Sequence, residues 1–217
     1  MKKLLFIFLG FFILCAFTGF NPEDIAALEK GIQQAKQEQN PSKDLCEALE
    51  RKDQVAVVNI LDDNNSLVNT DCDGVPPLAY ALAYNFQEDI IEFMLQMNAN
   101  PKAKVDGHYI LEFAIENSTP KVVKLLLQYG AKPRLTDEED GQFNALKAAI
   151  YPNPNINMVK TLVLDGKPEL NTIVNGKTIL DFCEGITGNF SQAQQDLYIR
   201  IIRFLRDSGA KRAAELK

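Results

Sequence analysis

Five times along this chain a leucine stands three residues ahead of a small residue: Leu45/Ala48, Leu78/Ala81, Leu111/Ala114, Leu146/Ala149 and Leu180/Cys183. The successive leucines are 33, 33, 35 and 34 residues apart. A period of that size defines a stack of supersecondary units. One unit cannot bury its own apolar face, so neighbours must share a continuous core. The second half of each unit repeats as well. Val57/Ile60/Leu61, Ile91/Met94/Leu95, Val122/Leu125/Leu126, Met158/Leu162 and Ile201/Phe204/Leu205 follow the i, i+3, i+4 spacing of a helix with one buried face. Asn98, Gly130, Gly166 and Gly209 follow these runs, where a helix ends in the left-handed region. The next unit opens on Asp73-Gly74, Asp106-Gly107, Asp140-Gly141 or Asn175-Gly176, all dipeptides of tight hairpins. Each unit therefore reads as hairpin, short helix, loop, longer helix, turn.

That unit resembles the ankyrin repeat. The resemblance rests on the hairpin glycines, the Leu and Ala of the first helix, the β-branched and leucine pairs of the second, and the turn Gly130-Ala131-Lys132-Pro133. It implies an all-α fold with short β-hairpin loops, a solenoid of about five repeats. The repeats are expected at roughly 42–69, 70–102, 103–134, 135–171 and 172–211, within a domain covering 42–217. The Thr-Pro-Leu-His tetrapeptide of the family is altered throughout: Pro76-Pro77-Leu78-Ala79, Tyr109-Ile110-Leu111-Glu112, Asn144-Ala145-Leu146-Lys147 and Thr178-Ile179-Leu180-Asp181. No repeat keeps the histidine, so its hydrogen bonds to neighbouring backbone must be replaced or lost, and a stack less stable than a consensus one is expected. Repeat four carries an acidic loop, Asp137-Glu138-Glu139-Asp140, and an inserted Pro152-Asn153-Pro154-Asn155. Repeat five has an insertion from Gly185 to Gln195; within it Ser191 and Gln194 form a capping-box pattern, starting the last helix near Gln192 and running it to Asp207. Thr119-Pro120 starts the second helix of repeat three.

The first nineteen residues are expected to lie outside the fold. Lys2 and Lys3 precede the apolar run Leu4 to Phe17, and Ala16, Thr18 and Gly19 are the small residues of a cleavage site. This is the pattern of an export signal, which places the mature chain in the periplasm or outside the cell. The alternative is an uncleaved anchor, since Leu4 to Phe20 is 17 residues, the lower limit of a bilayer span. Residues 20–41 read as a helical spacer, capped at Asn21-Pro22 and ended by Pro41.

Composition narrows the function. The net charge is −6, and no cluster of Lys and Arg stands in the body of the chain, which argues against nucleic acid as partner. The one histidine, His108, rules out a metal site built on several histidines. The acidic loop of repeat four lacks the alternating spacing of a calcium loop. No cofactor, metal or catalytic residue is expected. Cys183 occupies the small core site of repeat five and reads as a packed, inert residue. The resemblance puts Cys46 where the family histidine reaches toward the next hairpin, and Cys72 lies in that hairpin. In an oxidising compartment the pair is expected to form a disulfide; the alternative is two free small hydrophobes.

Residue by residue, the resemblance implies a binding surface. Asp73, Val75, Asp106, His108, Glu139, Asp140, Phe143, Asn175 and Lys177 come from the hairpin tips, and Arg51, Tyr84, Glu116 and Tyr151 from the ends of the first helices. The surface is acidic with aromatics interspersed, a field that favours a basic protein partner. The chain is thus expected to be an exported, non-enzymatic binding module, a monomer when free. Immunity toward a secreted toxin is the leading role. The alternatives are an envelope scaffold that assists an enzyme and a small-molecule binder built on the insertions of repeats four and five.

Overall fold

The computed structural model describes residues 27, 30, 40–134 and 141–216, without the side chains of Gln142 and Phe143. The segment expected to be an export signal or anchor, most of the expected spacer and the loop 135–140 lie outside the described residues. The chain divides into two units, Met1–Pro41 and Ser42–Lys217. In the first, Ala27 and Lys30 are helical and exposed.

The second unit is built of helix pairs. The pairs are α1 (Pro41–Glu50) with α2 (Gln54–Asp63), α3 (Pro77–Ala83) with α4 (Glu88–Gln96), and α5 (Leu111–Asn117) with α6 (Pro120–Gln128). They continue with α7 (Gly141–Ile150) and α8 (Ile156–Leu164), then α9 (Ile179–Glu184) and α10 (Gln192–Asp207). The first helices pack in a row, α3 on α5 on α7 on α9, and the second helices in another, α4 on α6 on α8 on α10. The repeat residues explain the rows. Leu45, Leu78, Leu111, Leu146 and Leu180, with the small residues three further on, are all at most 3% exposed and form one core. A small residue there lets successive first helices approach closely.

Local chemistry sets the helix ends. Proline at the first helical position opens α1, α3 and α6, where its missing N–H has no intrahelical role. Pro41 therefore begins a helix rather than ending one. Thr119 Oγ1 accepts from Val122 N at the head of α6, and Ser191 and Gln194 form the reciprocal capping box of α10. At the other ends, Asn98, Gly130 and Gly209 take positive φ, and the alanine after each donates back to the carbonyl five residues earlier, as Ala131 N does to Leu126 O at 2.8 Å. The buried Ala99, Ala131 and Ala210 fill the contact that accompanies this motif.

Two expectations of turn chemistry need correction, both in repeat four. Gly141 is not a hairpin glycine: it is the first residue of α7 and is buried. Helix hydrogen bonding thus recruits three residues ahead of Asn144. At the end of α8 the left-handed residue is Lys167, with φ 50°, and not Gly166. Gly166 serves close approach instead. A Cβ there would fall 2.4 Å from Leu162 O and 2.7 Å from Pro133 Cβ of the preceding repeat. The other three hairpins form as expected. Asp73-Gly74, Asp106-Gly107 and Asn175-Gly176 all have positive φ at both positions, closing Cys72 on Val75, Lys104–Val105 on His108–Tyr109, and Val174 on Lys177.

Candidate functional site

The position of the missing histidine is filled differently in every repeat. In repeat one, Cys46 of α1 is bonded to Cys72, with Cα atoms 5.4 Å apart, so the first helix is tied covalently to the base of the next hairpin. Ala79 of repeat two is buried. In repeat three Glu112 Oε2 lies 2.9 Å from His108 Nδ1, which joins the helix to its own hairpin. Lys147 of repeat four places Nζ 5.3 Å from the centre of the Phe182 ring in the next repeat. In repeat five the Asp181 carboxylate accepts from Thr178 N at 3.0 Å, Thr178 Oγ1 at 3.0 Å and Ala213 N at 2.8 Å. These donors hold its pKa below the usual carboxylate value, the two backbone N–H groups contributing most. The one hydroxyl proton of the fully buried Thr178 is shared between Asp181 and Lys211 O, the latter at 2.7 Å. In four repeats the residue at the histidine position thus makes a contact of its own, by four chemistries, and in repeat five that contact takes backbone N–H groups.

The hairpin tips and the first-helix ends then define one surface. Arg51 and Lys52 follow α1, Tyr84 follows α3, Glu116 is the penultimate residue of α5, and Tyr151 follows α7. Because α3, α5 and α7 stand side by side, Tyr84, Glu116 and Tyr151 fall along one row. All three are exposed. Lys52 Nζ, 4.5 Å from the centre of the Tyr84 ring, joins the end of α1 to that row. Arg51, just past the end of α1, pairs with Glu47 of that helix. Asp73, Asp106 and Asn175 sit exposed in the left-handed hairpin positions, and Val75 is half-buried beside Cys72. His108 is exposed and held by Glu112. Lys177 lines an open cleft of about 650 Å³ with Ile173, Asp181 and Leu216. Glu139 and Asp140 lie outside the described residues, as does the side chain of Phe143.

Pro152, Asn153 and Asn155 of the repeat-four insertion are exposed, whereas the repeat-five insertion packs one aromatic ring. Phe190 meets Tyr198 edge-on with ring centres 5.2 Å apart. Cys183 is buried beneath them in the core, and burial pushes its thiol up to about 12, far from a reactive thiolate. Among the described residues no group of His, Cys, Asp and Glu could hold a metal ion.

Sequence reasoning passed over several residues of this framework. Asn69 donates to Asn98 O and accepts from Asn100 N, both at 2.8 Å, stapling the loop after α2 to the end of α4. Asn171 does the same to Gly209 O and Lys211 N three repeats later. The signal was present: Asn-Thr stands after a hydrophobic residue at both places, Val68-Asn69-Thr70 and Leu170-Asn171-Thr172. Tyr80, one turn before Tyr84 on the same helix face, was also missed. Their ring centres lie 5.8 Å apart.

Comparison with known proteins agrees with this geometry. Residues 45–137 match the family model for ankyrin repeats in three copies. No match is found among the curated proteins. Among solved structures, a chain of the ankyrin repeat protein EF0377 is 23% identical, with a TM-score of 0.59 over 77% of this chain and 82% of that one. A chain in the complex of the predatory endopeptidase Bd0816 from Bdellovibrio bacteriovorus with the immunity protein Bd3460 is 26% identical. Its TM-score is 0.56, covering 78% of this chain and 82% of that one. Residues 45–137 thus carry ankyrin repeats, and the chain shares the ankyrin-repeat fold with these structures. Ankyrin stacks generally carry no catalysis of their own; they bind other proteins through an extended surface of repeated elements.

Proposed function

We propose that this protein is exported and holds a protein partner on its hairpin-and-first-helix surface, with neutralisation of a secreted toxin or hydrolase as its role. The single observation carrying the role is the likeness to a chain of an endopeptidase–immunity protein complex, at 26% identity over 78% of this chain. Export is supported by the basic and apolar start of the sequence and by the Cys46–Cys72 bond, a linkage suited to an oxidising compartment. The partner is basic where it meets the repeats, because exposed Asp73, Asp106 and Glu116 punctuate the row of tyrosines. The free protein is a monomer. Affinity capture of the tagged, full-length chain from envelope fractions tests the reading. One stoichiometric partner is expected, a secreted hydrolase or toxin, released when Tyr84, Glu116 and Tyr151 are changed together to alanine. Retention of that partner by the triple variant would overturn the surface assignment. A partner without hydrolytic or toxic activity would overturn the immunity role.

A further inference from the structure

The front of the surface carries a denser cluster than the rest. Tyr80 is half-buried on α3, and the exposed Tyr84 follows one turn later, with the two ring planes inclined at 47°. Glu50, the last residue of α1, and Asp73, at the hairpin tip, are both exposed, and the charge of each reaches Tyr80. Burial raises the pKa of Tyr80 first, and the charges of Glu50, Tyr84 and Asp73 raise it further. The disulfide fixes the frame, since Cys46 lies in the helix that ends at Glu50 and Cys72 adjoins Asp73. The chain already seats one of its own cations here, Lys52 on the Tyr84 ring. The neighbouring Arg51 is paired with Glu47 and so does not neutralise Glu50 or Asp73 directly.

We propose that Tyr80, Tyr84, Glu50 and Asp73 form an anchor for an arginine side chain of the protein partner, the guanidinium lying against the tyrosines and hydrogen-bonding to the carboxylates. The chemistry selects arginine. Its planar cation can stack on an aromatic face and still present donors at its edge, whereas an ammonium is a compact, strongly hydrated charge. Arginine and tyrosine pairs of this kind are the usual centres of binding energy at interfaces. The flexible Lys52 then acts as a stand-in that the incoming guanidinium displaces.

This inference rests on the partner-binding reading, and the test separates the two. The oxidised full-length protein is titrated with an acetylated hexa-arginine peptide at low salt, with hexa-lysine and hexa-glutamate as comparisons. The NMR signals of the tyrosine rings are followed. Saturable shifts at Tyr80 and Tyr84 are expected with hexa-arginine, with weaker binding of hexa-lysine and none of hexa-glutamate. Tyr84→Ala should weaken hexa-arginine binding about tenfold, in line with a desolvated cation–π contact plus lost packing. Glu50→Gln with Asp73→Asn, which leaves every ring in place, should weaken it several-fold. Asp207→Asn, an exposed carboxylate at the end of α10, should change nothing. Equal binding by the Glu50/Asp73 variant, shifts confined to other tyrosines, or no saturable binding would each overturn the anchor. If the captured partner still depends on Tyr84, Glu116 and Tyr151 in that case, the surface reading stands and the arginine anchor alone fails.

Discussion

At the front of the stack Cys46 stands one residue after the repeat leucine and is bonded to Cys72; at the back Asp181 occupies the same place and gathers three hydrogen bonds. One link is covalent and reaches across to the next hairpin. The other is polar and reaches the short helical turn Ala213–Glu215. Around Asp181 the charges are paired: Glu184 accepts from Arg206 at 2.7 Å and from Arg212 at 2.6 Å. Around Cys46, Glu50 and Asp73 are exposed, without an ion pair among the described residues, and act on Tyr80 through their charge. The carboxylates beside Asp181 are thus paired within the chain, whereas Glu50 and Asp73 are left open. A solenoid shows why the difference is possible. Each repeat contacts only its neighbours, so each end can solve the loss of the histidine locally.

The comparison can be broken most forcefully at the disulfide. Reducing Cys46–Cys72, or changing both to alanine, frees a loop of 26 residues and should cost about 3 kcal/mol in urea unfolding. Hydrogen exchange should rise in α1 to α4 and stay unchanged in α9 and α10. An equal rise throughout would mean the ends are not independent. Next comes Asp181→Asn, which replaces a charged acceptor of three donors and should cost about 1–2 kcal/mol at neutral pH, with loosening confined to repeat five. The sign of its pH dependence follows from the depressed pKa. A carboxylate whose folded pKa is lowered stabilises fully above its ordinary value, about 4, and loses that stabilisation as pH falls through the lower folded value. Glu184, lowered chiefly by the hydrogen bond from Arg212, acts in the same sense. Acid should therefore loosen the back before the front, as exchange measured between pH 5 and 2 would show, and Asp181→Asn should flatten that trend. The smallest effect compares like with like. Asn69→Ala and Asn171→Ala each remove the same two-bond staple, at opposite ends, and should each cost about 1 kcal/mol by thermal unfolding. A clearly smaller cost at Asn69 would show that the disulfide already carries the load there.

Much of the fold was legible because helix periodicity and turn residues are local. The limits of α10 and the entry to α6 could be read from Ser191/Gln194 and Thr119-Pro120, since a cap is made by residues within one turn. Apart from Pro41, the errors fell in repeat four, where local rules met a neighbour. Gly166 looks like a helix-ending glycine, yet Pro133 of the preceding repeat demands its missing side chain, and Lys167 takes the left-handed turn. The candidate surface was legible as positions, because the repeat fixes which residues lie at hairpin tips and helix ends. Its chemistry was less so. Tyr80 reads as one more core aromatic until Glu50 and Asp73 are seen beside it from two other elements.

The sequence by itself determined the architecture. A period of 33 to 35 residues with one apolar face per helix has no way to bury that face except by stacking, and spacing alone states it. Beyond the Cys46–Cys72 bond, which the resemblance implied, only the tertiary structure decided what replaces the histidine and which charges remain open. Those outcomes depend on contacts between residues tens of positions apart, such as Lys147 with Phe182 and Thr178 with Lys211, whose distances no local pattern encodes.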